Sequence, residues 1–481
     1  MTEARVGHPT PPGRHGRHAV VIGAGIAGLT AAQVLADHFE QVTVLERDRL
    51  PDTAADRAGT PQALHVHGLL AGGLNALTAL FAGFEDELLS AGAVALRGGL
   101  DIRVERPGYD PFPMRDLGVL TYAVSRPAIE LLLRRRLLQQ AHVRLLAQCR
   151  VLEISSATRP GVDGAAAITV TGVRCQGGDQ GIGPRGDQRG GVSTRLLPAD
   201  LVVDASGRGV LTLALLRAAG YPAPAVTRIG VDIGYATATY EIPADDKRRG
   251  WLGVMTFPKA PQSSRGALML PLEGGRWMLS LGGRGADKPA GDEAGFLEFA
   301  RQLRTPTIYN AIRGARRVGD IARYVFPHSQ RRHFERMPAF PRGLLPVGDA
   351  VCSFNPIYGQ GMSVAAQEAV LLRRVLAHSS NATDPLAGLA AAFFSGLQPL
   401  LDTPWAMAAI PDFIFPDTTG ERPPDLDRTL KFAFALLRLA ARKPDVHKLV
   451  LEVQHLLKPR SAYRRPLLMA RVLLELVRAG R

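Results

Sequence analysis

One glycine pattern near the start of the chain constrains it more than any other feature. In Val20-Val21-Ile22-Gly23-Ala24-Gly25-Ile26-Ala27-Gly28, the residues Gly23, Gly25 and Gly28 stand in G-x-G-x-x-G spacing. The apolar run at 19–22 reads as a buried strand, the residues to about 37 as a helix, and 41–46 as a second strand. Such a β-α-β unit opens a doubly wound dinucleotide-binding fold: Gly23 permits the tight turn, Gly25 lets the backbone approach a diphosphate, and Gly28 lets helix and strand pack closely. Ala24, Ile26 and Ala27 complete a loop whose helix N-terminus offers free N–H groups to the diphosphate. Glu46, 18 residues beyond Gly28, stands where a carboxylate accepts hydrogen bonds from an adenosine ribose. FAD and NAD share this motif, so it does not choose between them.

The 481 residues exceed what one core usually holds and predict two or three domains. The net charge of +14 is carried mostly by scattered Arg, and the tightest cluster, Arg134-Arg135-Arg136, falls in a helical pattern where it reads as a solvated face. Nucleic-acid binding is therefore not expected. Three cysteines, Cys149, Cys175 and Cys352, form no C-x-x-C pair. That argues against a disulfide framework or zinc site and fits a reducing cytoplasm. His65 and His67 alone make no metal site. Residues 1–17 read as a disordered leader without signal-peptide character, and no apolar run is long enough for stable membrane insertion.

Further along, 131–145 reads as a helix entering a strand, 201–204 as a short buried strand and 176–197 as a loose hairpin loop. From 226 to 340 the pattern is β: Ile229, Val231, Ile233 and Tyr235 alternate with smaller or polar residues, and Glu273-Gly274-Gly275 marks a hairpin. Leu268, Leu270 and Leu272 would share one face, as would Trp277, Leu279 and Leu281. Trp251, Met255, Tyr235 and Trp277 hint at a pocket for a bulky lipophilic molecule, although such residues more often pack a core. Rossmann character returns in a strand at 343–347 and a helix from about Ser363. Residues 385–481 read as all-helical, with Leu430, Phe434, Leu437 and Ala441 as a core-facing stripe; a membrane-surface helix is the alternative.

Two later segments decide the cofactor. Asp200-Leu201-Val202-Val203-Asp204-Ala205-Ser206-Gly207 ends a strand in an acid and a turn. Gly343-Leu344-Leu345-Pro346-Val347-Gly348-Asp349-Ala350 continues into Asn355-Pro356-Ile357-Tyr358-Gly359-Gln360-Gly361-Met362. Together the three segments resemble the FAD-dependent monooxygenases of the aromatic-hydroxylase and geranylgeranyl-reductase superfamily, over about residues 18–380. The stretch from Arg57 to His67 and Ser125-Arg126-Pro127 narrow the resemblance to bacterial flavin epoxidases and hydroxylases of polyketide pathways, and to related FAD-dependent cyclases.

The resemblance implies an α/β fold: a Rossmann-type FAD-binding domain (18–94, 126–219, 341–380), an inserted β-rich substrate domain (95–125, 220–340) and a helical region (381–481). It implies that Gly23, Gly25, Gly28 and Glu46 hold the ADP half of FAD, with Arg47 and Val151 at the same site. Arg126 would lie near the diphosphate and Asp349 by the ribityl or diphosphate. Pro356, Gly359, Gln360, Gly361 and Met362 would line the isoalloxazine. Asp204 and Gly207 match a middle fingerprint. His65 and His67, sharing a face if on a strand, are pocket candidates with Pro356 and Gln360; no acid or base is identified. The implied activity is oxygen transfer to a lipophilic, polyketide-type small molecule through a flavin C4a-hydroperoxide, with NAD(P)H as transient reductant because no second G-x-G-x-x-G is present. The alternatives are a redox-neutral [4+2] cyclase and a prenyl-chain reductase. A halogenase is disfavoured because Trp405-Ala406-Met407 does not supply W-x-W-x-I-P. Oligomeric state is not readable.

Overall fold

The apolar first strand, Gly16–Ile22, lies at the centre of a five-stranded parallel sheet. Its order is Leu344–Pro346, Leu201–Asp204, Gly16–Ile22, Phe39–Leu45, Val143–Leu146. The computed structural model describes residues 14–160, 166–177, 194–243, 249–380 and 382–479. The first two strands turn apolar and buried toward their C-terminal ends, where the sheet is covered on both faces. Ala19, Val21, Val44 and Val203 pack with Leu29 and Leu35 of the helix Ile26–Ala36 and with Leu372 and Leu376 of the helix Gly361–Ser379. Val20, Ile22, Leu45 and Val202 face a three-stranded antiparallel sheet of Cys149–Pro160, Ala166–Gly177 and Thr194–Pro198. The three layers fix the glycine turn at the C-terminal edge of the parallel strands, where ligands bind in such sheets.

Boundaries shift from the sequence reading in several places. The first strand starts at Gly16, inside the expected leader, because Gly16 pairs with Phe39 and the His15 N–H donates to the His38 carbonyl; residues 1–13 of that leader lie outside the described residues. The helix expected to enter a strand over 131–145 does so, ending at Leu137 before the strand Val143–Leu146, but it begins earlier, at Arg126. Of the expected 176–197 loop, 178–193 lies outside the described residues, while Gln176 pairs with Thr194 and Arg174 with Leu196 as strand.

A seven-stranded sheet forms the second wall. Its order is Cys352–Ser353, Arg317–His333, Ala225–Glu241, Arg276–Arg284, Gly266–Leu272, Gly253–Thr256, Ile102–Glu105. The stretch read as purely β also holds two helices, Glu293–Arg301 and Thr307–Ile312. Phe296, Phe299 and Ile308 of these helices cover Met269, Trp277, Leu279 and Leu281. Trp277 stacks near Trp251 (ring centroids 5.9 Å apart), so both tryptophans belong to this outer core and not to a pocket. Register explains the split. Met269 pairs with Leu279 and Pro271 with Trp277, which leaves Leu268, Leu270, Met278 and Ser280 to the opposite face, toward the glycine turn.

The helices Leu389–Asp412, Leu426–Arg442, Pro444–Gln454 and Pro466–Ala479 close the chain. In Leu426–Arg442 the buried side is Ala435, Leu436, Leu439 and Ala440; of the expected stripe only Ala441 is fully buried, and Phe434 is exposed. No helix among the described residues is long and apolar enough to cross a membrane.

Candidate active site

The turn after the first strand is built so tightly that side chains are excluded from it. A Cβ on Gly28 would lie 1.9 Å from the Gly23 carbonyl oxygen, and Gly23 itself has φ +101°. Gly25 caps the helix Ile26–Ala36 with no side-chain hydrogen bond and no acidic residue in the first turn, so the positive end of the helix is left for a ligand. A Cβ on Gly25 would find only the Arg126 guanidinium, 3.7 Å away.

Glu46 is buried beside the same turn. One carboxylate oxygen accepts from the Ala24 N–H at 2.8 Å and the other from the Asp48 N–H at 3.1 Å. The oxygen that accepts from Asp48 keeps a second lone pair for a ribose hydroxyl, whereas the one that accepts from Ala24 also faces Arg57. Arg47 points outward, 67 % exposed. Val151 is half-buried on a strand whose first residue, Cys149, donates its N–H to the Glu46 carbonyl.

Arg57 is the organiser that the sequence reading missed. Its side chain, 7 % exposed, contacts Asp48 at 2.9 Å, Glu46 at 3.1 Å and Glu130 at 3.2 Å, and it donates to the Ala24 carbonyl. Glu130 in turn holds Arg126 at 2.9 Å. The helix carrying both begins at Ser125, whose hydroxyl accepts from the Ala128 N–H. One buried guanidinium thus orients the Glu46 carboxylate, the glycine turn and, through Glu130, the Arg126 side chain. Nothing in the sequence marks it beyond its place in the Arg57–His67 stretch.

The third segment reaches the same cleft from the other side. A Cβ on Gly348 would lie 2.8 Å from Ala27, so this turn rests on the first helix. Asp349 opens into the cleft; the enclosure pushes its carboxyl above the usual range while Arg126 pulls it back. The Gly348 N–H donates to Glu368 at 2.6 Å, and burial raises that carboxyl to about 8. Pro356 and Gly361 are exposed along the loop, Met362 is buried, and Gly359 has φ +64°. Gln360 caps the helix Gly361–Ser379 and is 1 % exposed, yet neither its amide nitrogen nor its oxygen has a partner. A buried amide with both ends unpaired costs several kcal/mol unless something binds it. A flavin ring edge offers both donors and acceptors, and a Cβ on Gly361 would meet nothing within 4 Å, so there is room for one. Asp204, by contrast, is a staple: fully buried, it accepts from Ser206 and from both the N–H and hydroxyl of Thr212.

His65 and His67 lie in an extended turn after the short helix Pro61–Leu64 and not on a strand, so they do not share a face. His65 turns to the second sheet: its Nδ1 is 2.7 Å from the Thr237 hydroxyl, which is 2.6 Å from that of Ser280, and Ser280 accepts from the Val66 N–H. His67 faces Arg126, and its Nδ1 must donate to the His65 carbonyl, 2.7 Å away, leaving Nε2 as an acceptor. With Ser125, Arg126, Leu270 and Met278 they line a narrow pocket between the cofactor cleft and the sheet. Burial lowers His65 to about 4 and, with help from Arg126, His67 to about 3, so both are neutral at pH 7. Because the folded values lie below the unfolded 6.5, their stability contribution is complete above pH 6.5 and drains away as pH falls from 6.5 towards 4. Thermal unfolding should show a loss of about 1–3 kcal/mol for each ring across that window, and His65→Gln should remove one share of it.

A second missed residue, Asp412, ties the end of the helix Leu389–Asp412 to the loop 355–360. It is 1 % exposed and pairs with Arg284. It also accepts from Tyr358 at 3.0 Å and from the Asn355 amide at 3.2 Å, while Tyr235 donates to Asn355 at 2.8 Å. Burial pushes Asp412 up in spite of Arg284. Asp412→Ala would leave Arg284 unpaired and free the Asn355–Tyr358 turn; FAD affinity measured by fluorescence titration is expected to fall about tenfold or more.

Comparison with known proteins gives a consistent picture. Residues 18–306 match the family described as FAD dependent oxidoreductase. Protein Rv3254 of Mycobacterium tuberculosis is 34 % identical over 424 residues, which cover 87 % of this chain and 83 % of that one. Among solved structures, the flavin-dependent brominase Bmp2 aligns over 97 % of this chain and 100 % of its own with TM-score 0.64 at 15 % identity. PqsL, a probable FAD-dependent monooxygenase from Pseudomonas aeruginosa, aligns over 83 % of this chain and 98 % of its own with TM-score 0.56 at 18 % identity.

Proposed function

Since the chain belongs to the FAD dependent oxidoreductase family, we propose that it is an FAD-dependent monooxygenase, an epoxidase or hydroxylase, acting on a bulky lipophilic small molecule of polyketide type. The observation that carries the reading is the convergence of three separate turns, Gly23 resting on Ala205 and Gly348 on Ala27, beside a narrow gap that His65 lines together with Leu270 and Met278. Gly25, Arg126 and the helix beginning at Ile26 would hold the diphosphate, Glu46 the ribose, and Asp349 the ribityl side. Gln360 and the N-terminus at Gly361 would meet the ring. Bound FAD would accept electrons from NAD(P)H and activate O2. The protein's part is to orient, to keep water out, and to place charge. The helix Gly361–Ser379, with no side-chain hydrogen bond at its cap and no acidic residue in its first turn, would offer its positive end to the negative charge of a reduced ring. The Val66–Ser280–Thr237–His65 chain closes the polar groups of the pocket wall on one another, leaving Leu270 and Met278 to face an apolar substrate.

The test is anaerobic addition of NADH or NADPH to the purified chain, followed by isotope-labelled O2 with a candidate alkene or aromatic polyketide. Flavin bleaching and one labelled oxygen atom in the product are expected. Product formation with oxidised flavin, in the absence of NAD(P)H and O2, would replace this reading with the [4+2] cyclase; anaerobic saturation of a double bond would replace it with a reductase.

A further inference from the structure

We propose that the outer face of the C-terminal helix Pro466–Ala479 docks the protein peripherally onto an anionic lipid surface. The inner side of this helix is fully used: Leu468 and Val472 pack with Ala440 and Val453, and buried Glu475 pairs with Arg438 and Arg442. A solvent-facing side would ordinarily be polar. Here Leu467 is 83 % exposed, Leu473 55 %, Leu474 60 % and Val477 60 %. Ala470 lies among them, also exposed. Residues at 467, 470, 474 and 477 follow helical spacing, so they form one stripe. A contiguous apolar stripe of this kind marks an interaction surface.

Charge chooses the occupant. Residues 425–481 hold thirteen Lys and Arg against five Asp and Glu, a net +8 of the chain's +14. Four of those acids are already engaged: Asp425 by Arg428, Asp445 by Arg471, Glu452 by Lys458, and Glu475 as above. Arg464, Arg465 and Arg478, at the two ends of the stripe, have no ion-pair partner among the described residues. A second copy pairing through this face would set two such positive ends against each other. An anionic bilayer supplies both complements at once, an apolar boundary for the leucines and negative headgroups for the arginines. At 14 residues the helix is too short to span a membrane and would lie in the interface plane.

Co-sedimentation of the full chain with phosphatidylcholine vesicles, with and without about one-third phosphatidylglycerol, tests this. Binding to the anionic vesicles, weakened by high salt, and little binding to pure phosphatidylcholine are expected. Leu473→Glu with Leu474→Glu should weaken binding at least tenfold with flavin absorbance unchanged, since both side chains are already in water. Arg464→Glu with Arg465→Glu should weaken it by about fivefold per removed charge, and it serves as the independent check should the first variant misfold. The proposal is overturned if neither vesicle is bound, if both variants bind like the parent, or if the parent is a dimer that the leucine variant makes monomeric. FAD binding is read separately and is expected to survive in both variants, so a failure here leaves the cofactor assignment untouched.

Discussion

A Gly28→Ala variant is expected to purify without flavin. Its new Cβ would sit 1.9 Å from the Gly23 carbonyl oxygen and 3.0 Å from the carbonyl carbon, and both are backbone atoms that no rotamer change can move. Helix and strand must part or the turn must open. Overpacking of this kind costs about 1–3 kcal/mol, and the strain falls on the loop that would bind the diphosphate. FAD affinity should drop about 100-fold, as measured by fluorescence titration. Gly314→Ala is the matched control, because a Cβ there meets nothing within 4 Å and its φ is not positive; it should bind FAD like the parent. If Gly28→Ala kept its flavin, the turn would not be gripping the cofactor.

Arg57→Met is expected to destabilise the fold by about 3–5 kcal/mol, the range for a buried ion pair that loses one partner. The variant leaves Glu46, Asp48 and Glu130 facing one another with side chains 6–11 % exposed. Three buried carboxylates then face one another without their shared cation, and denaturant unfolding at pH 7.5 should show the deficit against the parent. Arg57→Lys keeps the charge but not the fork that reaches three carboxylates, and should recover only part of the loss. An Arg57→Met variant as stable as the parent would show that the carboxylate cluster does not depend on Arg57.

These two residues also show what can be read from a sequence and what cannot. Gly28 is legible because its reason is local: one turn, one helix, one strand, six residues of spacing. Leu201–Asp204 was legible for the same reason, since three apolar residues ending in an acid and a turn can hardly be anything else in this fold. Arg57 and Asp412 were not, because each acts through partners far away in the chain: Glu130 lies 73 residues from Arg57, and Arg284 lies 128 residues from Asp412. The two tryptophans fall in the core, the commoner place for such residues, but alternation gives two faces of a strand and not which one the helices Glu293–Arg301 and Thr307–Ile312 will cover. In the stripe Leu430, Phe434, Leu437 and Ala441 it is Phe434 that is exposed, while Leu430 and Leu437 pack at the edge of the core. A helix apolar on several sides does not announce which side its neighbours will take, and here they took Ala435, Leu436 and Leu439.

The account stands on the joint grip of the glycine turn, Arg126, Asp349 and the Gln360 loop on a single FAD. Titration of the purified chain with FAD, followed by absorbance and protein fluorescence, measures it directly. Saturation at one FAD per chain, with the cofactor displaced by neither NAD(P)H nor ADP at equal concentration, is the predicted result. A colourless protein that takes up no FAD from an excess would contradict it.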